Sequence, residues 1–246
     1  MNVIKLGGSL LDDATRRAEV LRAIADRWKS GEQIVLVHGG GKHVDANLKK
    51  VGIAKRTHAG LRITDDATLD VVVSTLAGSV NKMLVSELAA VGVRAAGISG
   101  CDASTLIAET HEAIDGVDLG HVGKVIGGDP TLIKAIANAG ILPVLSSVAE
   151  GPNGTLLNVN ADTAAAAIAI AVGAEKLVFI TDVAGLLDEM GNVVPELHAP
   201  EAEALLGTDV VSGGMRPKLQ AALHALESGV QQITIGEEGG THLVAA

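Results

Sequence analysis

The sequence predicts an α/β fold, a mostly parallel sheet covered by helices on both faces. Three observations carry that prediction. Short apolar runs alternate with helical patterns along the chain, the order that a parallel sheet requires. Hydrophobic residues make up 48% of the chain, yet it holds one Phe, one Trp and no Tyr. The core is therefore aliphatic, as suits a sheet buried on both faces. With 246 residues the chain can bury a sizeable core, as one large domain or as two small lobes sharing a cleft.

The first strand is Val3-Ile4-Lys5-Leu6, and Gly7, Gly8 and Ser9 follow it at once. The glycines let backbone N–H groups turn toward a bound anion with no Cβ in the way, and Lys5 places a point charge beside them. Asp12 or Asp13 caps a helix to about Lys29, with Val20, Leu21, Ile24 and Trp28 on one apolar face. Trp28 is a packing residue. Residues 34–37 form a second buried strand, His38-Gly39-Gly40-Gly41 a second glycine turn, and 44–50 a helix-compatible stretch. Strand, glycine turn and helix N-terminus together make an anion cradle. Val44 stands where the third glycine of a dinucleotide fingerprint belongs, and no G-x-x-x-x-G-K-[ST] occurs. A phosphate bound here is held by neither a Rossmann nor a Walker loop.

A long helix is predicted from about Asp65 to Ala90, with Thr64 as its cap, acids in its first turn and Gly92 just past its end. Residues 94–98 form a strand, and the shorter, turn-rich pattern between Thr105 and Val125 indicates a small antiparallel excursion. Asp129 as cap, Pro130 at the first helical position and Gly140 as stop define another helix, followed by a strand over 142–145. The stretch 155–162 begins extended and runs into an alanine-rich helix to Val172, closed by Gly173. Its polar groups alternate, so Asn158, Asn160 and Asp162 point into one cleft. Then come a strand over 176–180, the loop 181–185, a third glycine-plus-lysine turn over 212–218 opening a helix to about Gly229, and a strand over 232–235.

A net charge of −10 and a pI near 5.2 disfavour a nucleic-acid partner, as does the near absence of rings on which bases stack. The lone cysteine, Cys101, excludes an intramolecular disulfide, fits a reducing compartment and reads as a small buried hydrophobe. Lys5 and two glycines interrupt any signal-peptide pattern, and no 18-residue apolar run lacks both charge and glycine. The expectation is a cytoplasmic protein with no membrane span and no protein-held metal.

Ordered motifs run the length of the chain: K-L-G-G at 5–8, V-H-G-G-G at 37–41, G-L-R-I-T at 60–64 and L-G-H-V-G at 119–123, then N-V-N-A-D at 158–162, T-D-V-A-G-L at 181–186 and G-G-M-R-P-K at 213–218. Each alone is weak. In this order they resemble the amino acid kinase superfamily and, within it, the acetylglutamate kinases. The resemblance implies a three-layer αβα sandwich in two lobes, residues 1–173 for acyl amino acid binding and dimerisation and 174–246 for nucleotide. It implies phosphoryl transfer from ATP, with Mg2+ carried by the nucleotide, to the side-chain carboxylate of N-acetyl-L-glutamate in arginine biosynthesis. That acceptor is already ionised, so no general base is needed, and catalysis reduces to alignment and charge neutralisation.

By motif position, Lys5 and Lys218 resemble the two lysines that stabilise the moving phosphoryl group from opposite lobes, converging as the cleft closes. Asp162 resembles the acid that holds both. Gly7, Gly8, Gly40 and Gly41 would cradle the phosphate and the acceptor, Arg62 would clamp the substrate α-carboxylate, and Asn158 and Asn160 would contact the acyl amino acid. Thr181, Asp182, Gly185, Leu187, Gly214, Met215 and Lys218 fall where the family binds nucleotide. Plainer roles stand beside these: Asp162 as a helix cap, Arg62 paired with Asp65 or Asp66, and His38 and His121 as local hydrogen-bonding residues. The chain reads Ser99-Gly100-Cys101-Asp102-Ala103 where many acetylglutamate kinases carry S-G-K-D-G, which bears on acceptor preference if that loop touches the acceptor. Two other readings are a carboxylate kinase acting on an aminoadipate derivative of lysine biosynthesis, carrier-bound or free, and a silent amino-acid sensor. Arginine-inhibited hexamers of the family carry an extra helix before the K-L-G-G strand. Only Met1 and Asn2 precede Val3 here, so the expectation is a homodimer that keeps its activity in millimolar arginine.

Overall fold

The computed structural model describes residues 1–245 apart from Asp182, Glu189, Asp209, Val210, Ser212, Glu237 and Glu238, and of Gly8 and Ser9 only their place in a helical turn. The N-terminal part runs β1 (Asn2–Leu6), α1 (Ala14–Lys29), β2 (Ile34–His38), α2 (Gly41–Lys50) and the hairpin β3 (Thr57–His58) and β4 (Leu61–Arg62). One continuous helix follows, made of α3 (Asp66–Val73), a π-helical turn (Ser74–Val80) and α4 (Asn81–Ala90). Next come β5 (Ala95–Ser99), β6 (Ile107–Thr110), β7 (Gly123–Gly127), α5 (Thr131–Asn138), β8 (Leu142–Ser146), β9 (Val148–Glu150) and β10 (Leu156–Asn158). The chain closes with α6 (Ala161–Val172), β11 (Lys176–Ile180), β12 (Glu196–His198), α7 (Ala199–Leu206), α8 (Met215–Glu227), β13 (Gln232–Ile235) and β14 (Thr241–Val244).

Eight strands form one sheet in the order β12-β14-β13-β11-β1-β2-β8-β5. Every neighbouring pair is parallel except β13 with β14, so the expected mostly parallel sheet is present. The antiparallel excursion is β6 with β7, part of a second sheet in the order β10-β9-β6-β7.

Strand alternation sorts β1 between two aliphatic layers. Ile4 and Leu6 pack with Leu21 and Ile24 of α1 and Leu84 and Leu88 of α4. Val3 lies with Ala165 and Ile168 of α6 and Leu219 of α8, on the opposite face. Helices therefore cover both faces, and Lys5, two residues from Val3, is sent toward α6. The helix spanning Asp66–Ala90 reaches a mean hydropathy of 1.2 over 18 residues, the length and composition of a membrane span. Here its Val80, Leu84 and Leu88 are buried against the sheet.

Two caps differ from expectation by one residue. Asp65, not Thr64, caps α3, its carboxylate accepting from the Thr68 N–H at 2.9 Å. Thr64 is drawn instead into a bridge with Gly120, and its hydroxyl donates to the Arg62 carbonyl at 2.8 Å. Pro130 precedes α5 rather than opening it: its carbonyl accepts the first intrahelical bond, from the Lys134 N–H at 2.9 Å. Asp129 still accepts from the Thr131 N–H at 2.8 Å.

Candidate active site

The C-terminal ends of β1 and β2, the N-termini of α2 and α6 and the hairpin β3–β4 surround a cavity of about 230 Å³. Crevices at the carboxyl ends of parallel strands are where open α/β sheets bind ligands. Lys5, Gly7, Gly40, Gly41, Arg62, Asn158, Asn160 and Asp162 all line it, bringing eight of the expected residues together. A larger concavity of about 510 Å³ lies on the outer side of α4 and β5, lined by Val85, Ala89, Ala95 and Ala96, and holds little chemistry.

Lys5 and Asp162 line the cavity, and Lys218 reaches Asp162 from α8: Lys5 Nζ lies 2.8 Å and Lys218 Nζ 3.0 Å from the same oxygen, Asp162 Oδ1. All three side chains are buried. Burial pushes the Asp162 carboxyl up, but the two ammonium groups outweigh it and hold the group below its ordinary value. Both ammonium groups thus share one carboxylate oxygen out of water, the arrangement in which a buried charge is tolerated. Lys218 also sits 5.3 Å above the centre of the Phe179 ring. A Cβ on Gly7 would fall 2.2 Å from Lys5 Nζ, so glycine there is what admits the ammonium. In this structure the two lysines meet at Asp162. Asp162 is not a cap: the Asn160 side chain caps α6, accepting from the N–H groups of Asp162 at 2.8 Å and Thr163 at 3.2 Å.

Opposite the lysines stands Arg62 on β4. It pairs with Asp45 of α2 rather than with Asp65 or Asp66, and Nη2 also donates to the Gly41 carbonyl at 3.2 Å. Asp65 takes Arg56 instead, and Asp66 takes His121 at 2.6 Å. Asp45 is pushed up by burial, but Lys55 and Arg62 outweigh that and keep its carboxyl below its ordinary value. The other terminal nitrogen, Arg62 Nη1, is buried and has no partner among the described residues. Asn158 donates to the Thr64 hydroxyl at 3.2 Å.

The remaining expected residues that the structure describes do not line this cavity. Thr181 follows β11 and its carbonyl accepts from Arg16 at 3.2 Å. Gly185 packs so closely on Thr241 that a Cβ would come within 2.7 Å of its hydroxyl, and Leu187 bridges to Val193. Gly214 and Met215 open α8, which carries Lys218 back to Asp162. Asp182 lies outside the described residues, and of Gly8 only its helical turn is described. The variant loop after β5 is closed on itself, Asp102 accepting from the Ser99 N–H at 2.7 Å, and none of residues 99–103 lines the cavity. Cys101 is half-buried rather than buried, its Sγ 3.1 Å from the Ser99 hydroxyl.

His38 is the local hydrogen-bonding residue expected of it, and sequence reasoning missed Asp45, Ser147 and the partner of His38, Asn81. Asp45 and Ser147 offer no local signal, because they reach the site only through tertiary folding. Asn81 sits in an apolar helix, and a buried amide in such a helix needs partners, which is the signal that was available.

A sequence profile described as the amino acid kinase family matches residues 1–237. The chain belongs to the amino acid kinase family. Among amino acid kinase relatives, it is 41% identical to an acetylglutamate kinase of Solibacter usitatus, over 99% of both chains. It is 43% identical to an acetylglutamate kinase of Methanopyrus kandleri, over 96% of this chain and 94% of that one. The solved structure of smu.665 from Streptococcus mutans superposes with a TM-score of 0.87 at 29% identity, covering 98% of this chain and 97% of that chain. An N-acetylglutamate synthase from Neisseria gonorrhoeae, complexed with coenzyme A and N-acetyl-glutamate, gives 0.85 at 25% identity, over 98% of this chain and 58% of that chain. The three-layer amino acid kinase fold expected from the motifs is thus present.

Proposed function

We propose that this amino acid kinase phosphorylates the side-chain carboxylate of N-acetyl-L-glutamate with ATP, in arginine biosynthesis. The observation that carries the reading is the pairing of a buried, half-satisfied guanidinium with a buried Lys-Asp-Lys cluster across one small cavity. Full-length relatives named acetylglutamate kinase support the same assignment. The chemistry of the lining supports this reading: Arg62 Nη1 would donate to an acceptor such as an α-carboxylate, and the ammonium of Lys5 would meet a phosphoryl oxygen. In the reaction an oxygen of the ionised acceptor attacks the γ-phosphorus, the bond to the β-phosphate oxygen breaks, and ADP leaves. No proton is transferred. Lys5 and Lys218 would neutralise charge on the moving group while Asp162 fixes their spacing, and the N–H groups at the start of α2 would donate to the phosphate or acceptor oxygens. Asn158 and Asn160 would border the acyl amino acid, Asn160 mainly by setting the α6 terminus. Thr181, Gly185, Leu187, Gly214 and Met215 would hold the nucleotide, and magnesium arriving with it would offset phosphate charge.

The test of this reading is a split in kinetic constants. Arg62→Lys keeps the charge but loses the planar fork, so the KM for N-acetylglutamate rises on the order of tenfold while the KM for ATP stays close to wild type. Equal rises in both constants would contradict the clamp.

In this reading residues 1–173 form the acyl amino acid lobe and 174–246 the nucleotide lobe, the boundary falling between β1 and β11 of one sheet. The protein acts in the cytoplasm, which suits its free thiol. It works as a homodimer, supported by the unpaired edge of β5 and the apolar concavity beside it. Light scattering should give twice the chain mass, and Ala96→Lys on that edge should halve it. A wild-type monomer would refute the dimer.

A further inference from the structure

Beneath the second glycine turn lies a polar cluster that the reaction itself does not use. His38 and Asn81 are both fully buried, between β2, β5, β8 and the start of α4. Asn81 Nδ2 lies 3.0 Å from the Val144 carbonyl, 3.3 Å from the Ile98 carbonyl and 3.1 Å from His38 Nε2. Carbonyl oxygens only accept, so that end of the amide must be the NH2 group. Lys82 Nζ, 3.0 Å from Asn81 Oδ1, fixes the other end as the oxygen. Because Asn81 donates to Nε2, that nitrogen carries no hydrogen, and Nδ1 must carry it. Nδ1 is 2.8 Å from the Gly39 carbonyl oxygen, to which it donates. Room for the amide has been made on purpose: a Cβ on Gly97 would come within 1.8 Å of Asn81 Oδ1.

We propose that Asn81, through His38, fixes the Gly39–Gly40 peptide so that the Gly40 N–H is presented to the reacting phosphate or acceptor. In a trans peptide the C=O and N–H point in opposite directions. Pinning the Gly39 oxygen toward His38 therefore turns the Gly40 N–H away from it, in a segment that lines the cavity. No protein group among the described residues accepts that N–H. A Cβ on Gly40, whose φ is +151°, would fall 2.9 Å from Leu76 Cδ2, so the turn is pressed on its other side by the π-helical turn. The same turn places Asn81, whose N–H bonds to the Leu76 carbonyl five residues back. Burial also pushes the imidazole down to about 4, which keeps it neutral and able to accept from Asn81. His38 and Asn81 are thus positioning residues, and the inference rests on reading Gly40 as a cradle donor.

The experiment pairs nitrogen-15 NMR of the histidines in the whole enzyme with kinetics of three variants. The wild type should show His38 neutral with its proton on Nδ1 at pH 6. His38→Asn, whose amide nitrogen replaces Nδ1, should keep kcat within about threefold. His38→Phe should lose about tenfold or more in kcat with both KM values nearly unchanged, a milder loss than deleting a donor outright. Asn81→Asp, which can only accept at Nε2, should move the His38 proton from Nδ1 to Nε2 and lower kcat alike. A wild-type proton on Nε2 would overturn the relay itself. The Nδ1 form together with full kcat in folded His38→Phe, or in Asn81→Asp should the former not fold, would overturn it through the role given to Gly40.

Discussion

Lys218→Ala lowers kcat on the order of 100-fold or more while the KM for the acyl amino acid changes by only a few-fold. Lys218 enters from α8 and Lys5 from β1, and the Lys218 ammonium is held 3.0 Å from the Asp162 carboxylate. A preorganised cation of this kind stabilises charge that develops during transfer rather than charge already present on the bound acceptor. Its loss therefore appears in kcat. The group is also buried over Phe179, where water screens little. Steady-state kinetics checks the result, and a loss of under about threefold would make the lysine a structural partner of Asp162 alone.

Asp162→Asn is the second large effect, and it falls on stability as well as rate. The substitution removes the carboxylate that the buried Lys5 and Lys218 share. Breaking a buried ion pair from one side costs about 3–5 kcal/mol, which for a chain of this size corresponds to a drop of roughly 10 °C in Tm. The same carboxyl, held below its ordinary value by the lysines, contributes stability that is present above the ordinary carboxylate range and is lost as pH falls through the folded value. The variant should therefore be less stable at neutral pH and decline less steeply than wild type below about pH 4, by the share that Asp162 carries. Thermal unfolding between pH 3 and 7 measures both. A Tm within about 2 °C of wild type at pH 7 would mean that the lysines are held by something other than Asp162.

The fold was legible because its signals are local. Short continuous apolar runs, helical periodicity and glycine stops located β1, β2, β11 and β13 and the helices between them, since each depends on residues close in sequence. Caps were less legible: Thr64 and Asp65 compete for one terminus, and the bridge between Thr64 and Gly120 decides the contest from afar. The site divides the same way. Motif order marked Lys5, Arg62, Asp162 and Lys218, but spacing cannot say that Arg62 meets Asp45 instead of its near neighbours Asp65 and Asp66. That pairing arises only when the β3–β4 hairpin folds onto α2. The concern over residues 99–103 was of this kind too, because whether a loop reaches a cavity is set by the sheet and not by the loop's own sequence.

The account's central claim is that a small acyl amino acid carboxylate is the acceptor. The most direct measurement is ADP release by the purified full chain with magnesium ATP, in parallel with hydroxylamine trapping of the acyl phosphate, for N-acetyl-L-glutamate and for an N-acylated aminoadipate. The account predicts ADP release that depends on N-acetyl-L-glutamate and matches the trapped hydroxamate one to one. Turnover confined to the aminoadipate derivative, or no acceptor-dependent ADP release from folded protein, would contradict it.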